Sequence, residues 1–328
     1  MNTIVAVVLG FAWMANVEAS EKLSGEEQRA MRDAIIAQQA KISSLYVKFR
    51  SITRRNVEEP NERRYEWAMS GAKRYRKSFW PGPVGGPVPA RWGLVVWDGR
   101  FKKAYDSATN NGSLRNEDDP HGDGPQTWSP YCRSLGDLSG RLMTQIFAQV
   151  PLEDWEARWS EDRKAVTFTT HDFSGPNSPL EHSWTFDTTR GCTISKSQLR
   201  RRDAEGQWRT YLSFAVIESK EVSPGIWVAV NSHSEALWHL RGEDIRNAED
   251  CIVDEIVVND PRIESLFYFE WPPNAMYYDY IRGRGANPRL DAIDTAWVTA
   301  WWIVGILAGA GLLLASRKWL VRHGDKHR

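Results

Sequence analysis

The chain has 328 residues, and its 42 Lys and Arg side chains equal its 42 Asp and Glu side chains in number, so the pI lies near 7.1. This balance argues against a nucleic-acid-binding body, which would show a basic stripe, while the length allows one large β domain or two small ones, each with its core. The 17 tryptophans are compatible with two structures: a groove lined by aromatic side chains on a β surface that is partly exposed to water, or an aromatic-rich β core. Both are possible because indole buries a large area and keeps a polar N–H.

The N-terminal segment predicts export. Residues 3–17 form an apolar run, and small residues follow it up to Ala19 and Ser20, as in a secretory signal peptide. We therefore expect a signal peptide over residues 1–19, although the segment before the run contains no Lys or Arg. An uncleaved anchor at the same place is the alternative.

An amphipathic helix follows, predicted from about residue 25 to residue 44. Ser24 and Glu27 have the spacing of a capping box at its start. Residues at steps of three and four then form one stripe on a helix, and this stripe consists of Met31, Ala34, Ile35, Gln38, Ile42 and Leu45. Such a stripe needs a surface to cover, and the concave side of a β-sheet is the obvious candidate.

From residue 45 the period changes to two, which indicates strands. Alternation continues over residues 45–54 and again, with one polar face, over residues 65–80. The stretch of residues 92–105 contains two β-rich runs joined by Asp98-Gly99. This pattern predicts a hairpin with a type I′ turn, in which both central residues have positive φ.

The middle of the chain combines a long loop with a second helix. Residues 107–130 are polar and rich in Gly, Asp, Asn and Pro, which predicts a surface loop. Four side chains of this loop are able to ligate a hard cation: Asp118, Asp119, His121 and Asp123. Their spacing does not match an EF-hand loop, so we favour a solvent-exposed loop without a bound cation. A helix is predicted over residues 134–150, lying against the sheet. Further strands fill residues 165–271, ending in a strand that closes at Trp271, at spacings typical of an antiparallel meander.

The C-terminal end predicts a transmembrane helix over residues 296–316. Its uncharged run is long enough to cross a bilayer core, and tryptophans flank it as in an aromatic belt. Gly305 and Gly309 form a GxxxG motif, through which a homodimer would pack. The helix is either retained as an anchor or removed after export as a sorting signal.

The predicted topology places the main domain outside the cytoplasm. Basic residues are concentrated in the tail of residues 317–328, and the positive-inside rule puts this tail in the cytoplasm. Residues 20–283 would then form a periplasmic ectodomain of a single-pass cell-membrane protein, joined to the membrane by a linker over residues 284–295.

The sequence contains no recognisable catalytic or metal-binding arrangement. It has no GxSxG, no phosphate-binding Gly-rich loop and no CxxC. His233 and His239 are six residues apart in a β segment and point to the same face, but no third ligand supports a metal site. We therefore expect no enzyme activity, no cofactor and no bound metal. The three cysteines allow one disulfide in any of three pairings, or three separate thiols; they are Cys132, Cys192 and Cys251.

Two short motifs give the chain a resemblance to a known group. The turn from Trp97-Asp98-Gly99 to Tyr105-Asp106 resembles the hairpin of the LolA/LolB-like and RseB-like superfamily of exported lipoprotein carriers and sensors. The late segment from Phe267 to Pro273, followed by Asp279-Tyr280, looks like the closing strand of that family. The resemblance spans residues 24–282 and rests on the order of elements more than on identity.

The predicted fold class is α+β: an antiparallel, strongly curved, unclosed β-barrel with covering helices, plus one C-terminal transmembrane helix. The resemblance implies that helices close a hydrophobic cavity in this half-barrel, that the cavity accepts a lipid or a lipoprotein acyl chain, and that the protein is not an enzyme. Aromatic residues are the expected cavity wall: Tyr65, Trp67, Trp97, Tyr105, Trp184 and Phe214. The alternative is an envelope sensor that acts through partner membrane proteins.

Overall fold

The computed structural model describes residues 21–56, 58–116, 133–135, 142–171, 180–202, 206–240 and 243–286. Its strands are β1 (Glu21–Lys22), β2 (Ser44–Arg55), β3 (Asn61–Ser70), β4 (Lys73–Phe79), β5 (Gly82–Pro83), β6 (Trp92–Trp97), β7 (Phe101–Asp106), β8 (Asn111–Asn116), β9 (Trp155–Trp159), β10 (Ala165–His171), β11 (Leu180–Asp187), β12 (Thr193–Arg202), β13 (Trp208–Ser223), β14 (Ile226–Leu240), β15 (Glu243–Val258), β16 (Met276–Asp279) and β17 (Arg284–Ala286). The α-helices are α1 (Gly25–Ala40) and α2 (Met143–Gln149), and short 3-10 helices occur at Leu152–Asp154, Thr188–Arg190 and Pro261–Phe267.

These strands form one continuous curved sheet. Its order is β1, β9, β10, β11, β12, β13, β14, β15, β2, β3, β4, β6, β7, β8, β16 and β17, with the short β5 also beside β3. Neighbours are antiparallel except β8 and β16, which run parallel. No pairing within the described ranges joins β1 to β17, so the sheet is open.

The predicted fold class is wrong. The described chain is mostly strand in one large open sheet, and no helix within it is long and apolar enough to cross a membrane. The prediction gave weight to helical patterns that the chain does not complete, because α1 stops at Ala40 and α2 has only seven residues. The features predicted at both ends, and the loop acids of residues 118–123, lie outside the described residues. The terminal features are the signal peptide of residues 1–19, residues 287–295 of the linker, the helix of residues 296–316 with Gly305 and Gly309, and the tail of residues 317–328.

Helix α1 begins as predicted and ends early. The Ser24 side chain accepts from the backbone N–H of Glu27, and the Glu27 carboxylate accepts from the backbone N–H of Ser24 at 2.9 Å, so the capping box is confirmed. At the other end Asn259 turns the chain into β2: its Nδ2 donates to the carbonyl of Lys41 at 2.7 Å, and its Oδ1 accepts from the N–H of Ser43 at 2.8 Å. Because this contact spans more than two hundred residues of sequence, local periodicity does not reveal it.

The central hairpin is confirmed, but its turn type is wrong. β6 and β7 pair with Leu94 opposite Tyr105. Gly99 has a φ of +94°, whereas Asp98 is absent from the residues with positive φ. Instead the Asp98 carboxylate accepts from the backbone N–H groups of Arg100 and Phe101 at 2.9 and 2.7 Å. An Asx turn therefore replaces the type I′ turn.

The two faces of the sheet carry separate cores. We call the face that α1 and α2 cover the inner face, and the opposite one the outer face. On the inner face, the helix-covered cluster includes Phe168, Trp184 and Phe214, and a middle cluster includes Phe49 and Trp67. On the outer face of β3, β4, β6 and β7 lies an outer cluster, made of Ala68, Tyr75, Leu94, Val96, Tyr105, Ile263, Phe267 and Ala275.

A strap, which we define as residues 261–280, covers the outer cluster. It begins with the 3-10 helix Pro261–Phe267, whose Ile263 and Phe267 are buried. The predicted closing strand over residues 266–271 is therefore wrong, and the strand of this region is β16. The reason is the packing of the Trp271 side chain. Its ring lies so close to Gly112 that a Cβ at that glycine would be 2.1 Å from it, and it stacks on the Tyr277 ring with 4.5 Å between the ring centres.

Candidate functional site

The candidate site is the inner face beneath α1 and α2. Strand alternation sends every second side chain to this face, and register aligns the large ones: Phe168 lies opposite Trp184, and Phe214 opposite Ser197. Phe168 and Trp184 are 0% exposed. The helices supply the other side of the cluster, chiefly through Ile35, Met143, Ile146 and Phe147.

Aromatic rings dominate this helix-covered cluster. The Phe147 ring of α2 lies 5.0 Å from that of Trp155 and 5.4 Å from that of Phe168. Trp155 in turn lies 5.6 Å from Trp184. Most of these ring pairs are tilted or edge-to-face, an arrangement that adds a little to the energy of burial. The surface that α2 covers is thus wide, apolar and aromatic.

Three glutamines fasten α1 to the rest of the molecule. Gln28 Nε2 donates to the carbonyls of Leu152 and Trp155, both at 3.0 Å. Gln38 Nε2 donates to the carbonyl of Gly225, and Gln39 Nε2 to that of Leu135, each at 2.6 Å. Gln28 and Gln38 are buried. Sequence reasoning missed these glutamines as fasteners, although the place of Gln38 in an otherwise apolar stripe was a signal.

Few apolar side chains hold α1 to the sheet. Ile35 is 0% exposed, while Met31 and Ile36 are partly buried against the helix-covered cluster. The cysteine at the start of the neighbouring hairpin, Cys192, places its Sγ 3.8 Å from Met31 Sδ. Helix α1 is thus held by one fully buried aliphatic side chain, two partly buried ones and the side-chain hydrogen bonds of its glutamines.

A polar strip divides the helix-covered cluster from the middle cluster. It contains the buried serines Ser51, Ser232 and Ser234. The Glu249 carboxylate accepts from Ser51 Oγ at 2.5 Å and from Arg133 Nη1 at 3.1 Å. Both Arg133 and Glu249 are mostly buried, at 20% and 14% side-chain exposure. No pattern in the sequence identified this strip, because its members come from distant segments.

The predicted wall residues divide among the clusters. Trp184 and Phe214 meet in the helix-covered cluster, and Tyr65 and Trp67 meet in the middle cluster. Trp97 is 1% exposed and lies on the inner face in β6, the strand that pairs with β4. Their part in ligand binding stays a prediction. Burial raises the pKa of the Tyr65 phenol.

Tyr105 lies apart from the other predicted wall residues. Register places it opposite Leu94, which is three residues from Trp97 and thus on the opposite face. Its ring packs in the outer cluster, 5.8 Å from Phe269 and 5.4 Å from Trp92. The structure therefore brings five of the six residues to the inner face and sends Tyr105 to the outer one.

The histidines and cysteines form no site in the described ranges. His233 Nδ1 lies 2.6 Å from Asp250 Oδ1, and this hydrogen bond is the main cause that raises the pKa of the imidazole. Arg54 pairs with the same carboxylate at 2.5 Å. Cys192 is a half-buried free thiol and Cys251 is buried, while Cys132 lies outside the described residues. No group of three His, Cys, Asp or Glu suited to a metal occurs among the described side chains.

No protein-family model and no curated protein match the chain. Solved structures are similar to it at low identity. A DUF1329 family protein from Desulfovibrio piger shares 11% identity over 73% of this chain and 96% of its own, with a TM-score of 0.43. A LolA superfamily protein from Nitrosomonas europaea shares 8% identity over 75% of this chain and 99% of its own, with a TM-score of 0.40.

A chain of the MucA/MucB complex from Pseudomonas aeruginosa shares 10% identity over 70% of this chain and 99% of its own, with a TM-score of 0.25. LolA superfamily proteins are thus among the solved structures to which this chain is similar, which agrees with the resemblance stated from its sequence. These likenesses concern the fold and carry no ligand or partner over to this chain.

Proposed function

We propose that the chain is an extracytoplasmic binding domain that takes a lipid or lipoprotein acyl chain between α1, α2 and the inner face, without catalysing a reaction. The observation that carries the proposal is the way α1 is seated. Glutamine side chains hydrogen-bond α1 to carbonyls of neighbouring segments, and the surface beneath the helix is aromatic and apolar. Separation of α1 exposes this surface, and an acyl chain would replace the contacts of the helix at little net loss of apolar burial.

The polar strip supports the same proposal. The buried serines lie on the inner face between the two apolar clusters, together with the ion pair of Arg133 and Glu249. A flexible chain that lies across both clusters would contact apolar side chains for most of its length. The apolar run of residues 3–17 supports export of the domain.

The experiment uses the full chain, exported by a bacterial host and purified. Native mass spectrometry is expected to show a co-purifying lipid, and a dansylated fatty acid is expected to gain fluorescence on binding. Ile35→Ala, which weakens the seat of α1, is expected to raise the association rate of the probe several-fold. Ile217→Ala is the matched control, because Ile217 is 61% exposed.

Two results would contradict the proposal. One is a folded protein that carries no lipid and leaves the fluorescence of the dansylated fatty acid unchanged. The other is probe binding that responds to Ile217→Ala as much as to Ile35→Ala, since binding would then not involve the helix-covered cluster.

A further inference from the structure

The rim of the helix-covered cluster contains a hydrogen-bond donor that the fold does not use. Trp159 lies at this rim, where it packs against the cluster together with four other partly buried side chains: Met31, Ile36, Cys192 and Val216. Trp159 is the last residue of β9, and its register partner in β10, Val166, is 0% exposed within the cluster. The Trp159 side chain therefore lies on the inner face.

The indole nitrogen of Trp159 is the unused donor. Its Nε1 is buried, and no acceptor in the described part of the chain lies within hydrogen-bond distance of it. Trp155, in the same strand, shows the usual arrangement, since its Nε1 donates to the carbonyl of Val150 at 3.4 Å. A buried N–H without an acceptor is rare in folded proteins because it destabilises them. The rim thus offers a desolvated donor to a bound molecule.

The position of this donor matches the polar end of an acyl ligand. An acyl chain beneath α1 is apolar along its length and has oxygen acceptors at one end. Phe168 and Trp184 are 0% exposed, so a polar group beside them would be buried at high cost. Trp159, Met31 and Cys192 are half-buried. A polar end at this rim therefore bonds to Trp159 on one side and keeps contact with water on the other.

The charges beside Trp159 favour a neutral acceptor over a carboxylate. Glu21 lies directly opposite Trp159 in the pairing of β1 with β9, and the Cβ atoms of such neighbours are about 5 Å apart. Glu21 forms an ion pair with Arg163. This cation is already neutralised, so a second carboxylate at the rim gains no attraction from it and is repelled by Glu21. An ester or amide carbonyl accepts a hydrogen bond without that repulsion.

We infer that Trp159 Nε1 donates a hydrogen bond to the carbonyl oxygen of an ester- or amide-linked acyl chain that lies beneath α1 and α2. The inference rests on the proposed function, and it adds the chemical class of the ligand and the direction in which the ligand lies. The donor is already desolvated in the free protein, so binding forms this hydrogen bond without removing water from the indole. The carbonyl end lies at the rim, and the hydrocarbon extends toward Phe168 and Trp184.

The test uses ligands with the same hydrocarbon chain and three different polar ends. Methyl oleate has a neutral carbonyl, oleyl methyl ether has a methylene in its place, and oleate has a carboxylate. Binding to the full chain is measured by displacement of the dansylated fatty acid, whose own dissociation constant is determined for each variant. We expect methyl oleate to bind about fivefold more tightly than the ether, and more tightly than oleate.

Trp159→Phe removes the N–H and keeps an aromatic ring at the rim. It is expected to abolish the preference for methyl oleate over the ether and to change the affinity for the ether by less than about twofold. The matched control is Trp155→Phe, which removes an indole N–H that already has an acceptor. This control is expected to change the affinities for the two ligands by the same factor.

Nuclear magnetic resonance reports on the same hydrogen bond directly. The indole N–H resonance of Trp159 is assigned as the one that is lost from the spectrum of Trp159→Phe. It is expected to move downfield when methyl oleate binds to the native chain, and to move less with the ether. A resonance that stays in place with methyl oleate would overturn the inference, because the N–H would then have the same partner with and without the ligand.

Four binding results would also overturn the inference. If Trp159→Phe weakens methyl oleate and the ether equally, Trp159 is a part of the apolar wall and the acyl site stands. If the preference for methyl oleate survives in Trp159→Phe, the carbonyl binds elsewhere. If oleate binds most tightly and loses most in the variant, the acceptor is a carboxylate. If no ligand binds to the native chain, the proposed function fails together with the inference.

Discussion

The two halves of the sheet place their cores on opposite faces. In the half formed by β9 to β13, the inner face is apolar and lies beneath the helices, while the outer face carries polar pairs such as Thr167 with Thr185 at 2.9 Å. In the half formed by β4 to β8, the strap covers an apolar outer face, and the inner face carries basic side chains such as Arg74 and Lys102 beside the buried Trp97.

This difference shows how a core on one face of a sheet allows charged side chains on the other. In the first half the inner face supplies the stability of the fold, so its residues are large and tightly packed. In the second half the strap stabilises the strands from outside, and the inner face is able to carry charge at less cost to folding. A curved sheet with cores on both faces thus combines an apolar inner wall in one half with a more polar inner wall in the other.

Three valines test this comparison with the same chemical change. Val166 is 0% exposed on the inner face of the first half, Val96 is 1% exposed on the outer face of the second, and Val95 is half-buried on its inner face. We expect Val166→Ala and Val96→Ala each to lower the free energy of unfolding by about 2–3 kcal/mol, and Val95→Ala by less than about 1 kcal/mol. Urea unfolding measures all three.

An equal loss at Val95 and Val96 would break the comparison, because it would mean that both faces of the second half are packed to the same degree. The m-value is expected to stay constant across the series, which confirms that the variants change stability rather than the extent of folding.

A glycine under the strap gives the next largest effect. A Cβ at Gly112 would meet the Trp271 ring at 2.1 Å and the carbonyl of Ala104 at 2.6 Å, so Gly112→Ala must displace the strap. We expect a loss of about 2 kcal/mol and faster amide exchange in residues 261–280. Gly285→Ala is the control, since nothing lies within 4 Å of a Cβ there. Unchanged exchange in the strap of Gly112→Ala would contradict the account.

The glutamine fasteners of α1 give a smaller effect. Gln28→Ala removes two hydrogen bonds of 3.0 Å to the carbonyls of Leu152 and Trp155, and we expect a loss of about 1–2 kcal/mol. Amide exchange in α1 should rise more than in β10 and β11, because the helix separates from a sheet that stays folded. A uniform rise in both would show that α1 unfolds only together with the sheet.

The smallest expected effect depends on pH. The hydrogen bond to Asp250 raises the pKa of His233 above its ordinary value of 6.5. The protonated imidazole therefore contributes stability that is present in full below about pH 6.5 and is lost as the pH rises through the folded-state pKa. Relative to His233→Gln, the native chain should lose at most about 1 kcal/mol between pH 6 and pH 8. A difference that grows with rising pH would have the wrong sign.

Local patterns in the sequence predict the individual elements well. The capping box at Ser24, the hairpin at residues 92–105 and the change of period at Leu45 are all properties of neighbouring residues, and the structure contains the elements they indicate. The inner-face positions of Trp67 and Trp184 also follow from alternation within one strand.

Contacts between distant segments account for what the sequence did not predict. Asn259 ends α1 from more than two hundred residues away, and the strap leaves the strand pattern because its apolar residues cover another part of the sheet. Tyr105 lies on the outer face and not on the predicted inner one. Alternation along a strand defines two faces, but it does not tell which of them the helices cover. Glu249 and Arg133 meet across the fold, so neither carried a local signal.

The most direct test of the central claim is hydrogen–deuterium exchange of the full chain with and without oleate. We expect slower exchange in α1, in α2 and in β10 to β12 when oleate is present, with the strap of residues 261–280 unchanged. Protection confined to the strap would contradict a binding site between the helices and the inner face. So would unchanged exchange in α1 at oleate concentrations high enough to displace the dansylated fatty acid completely.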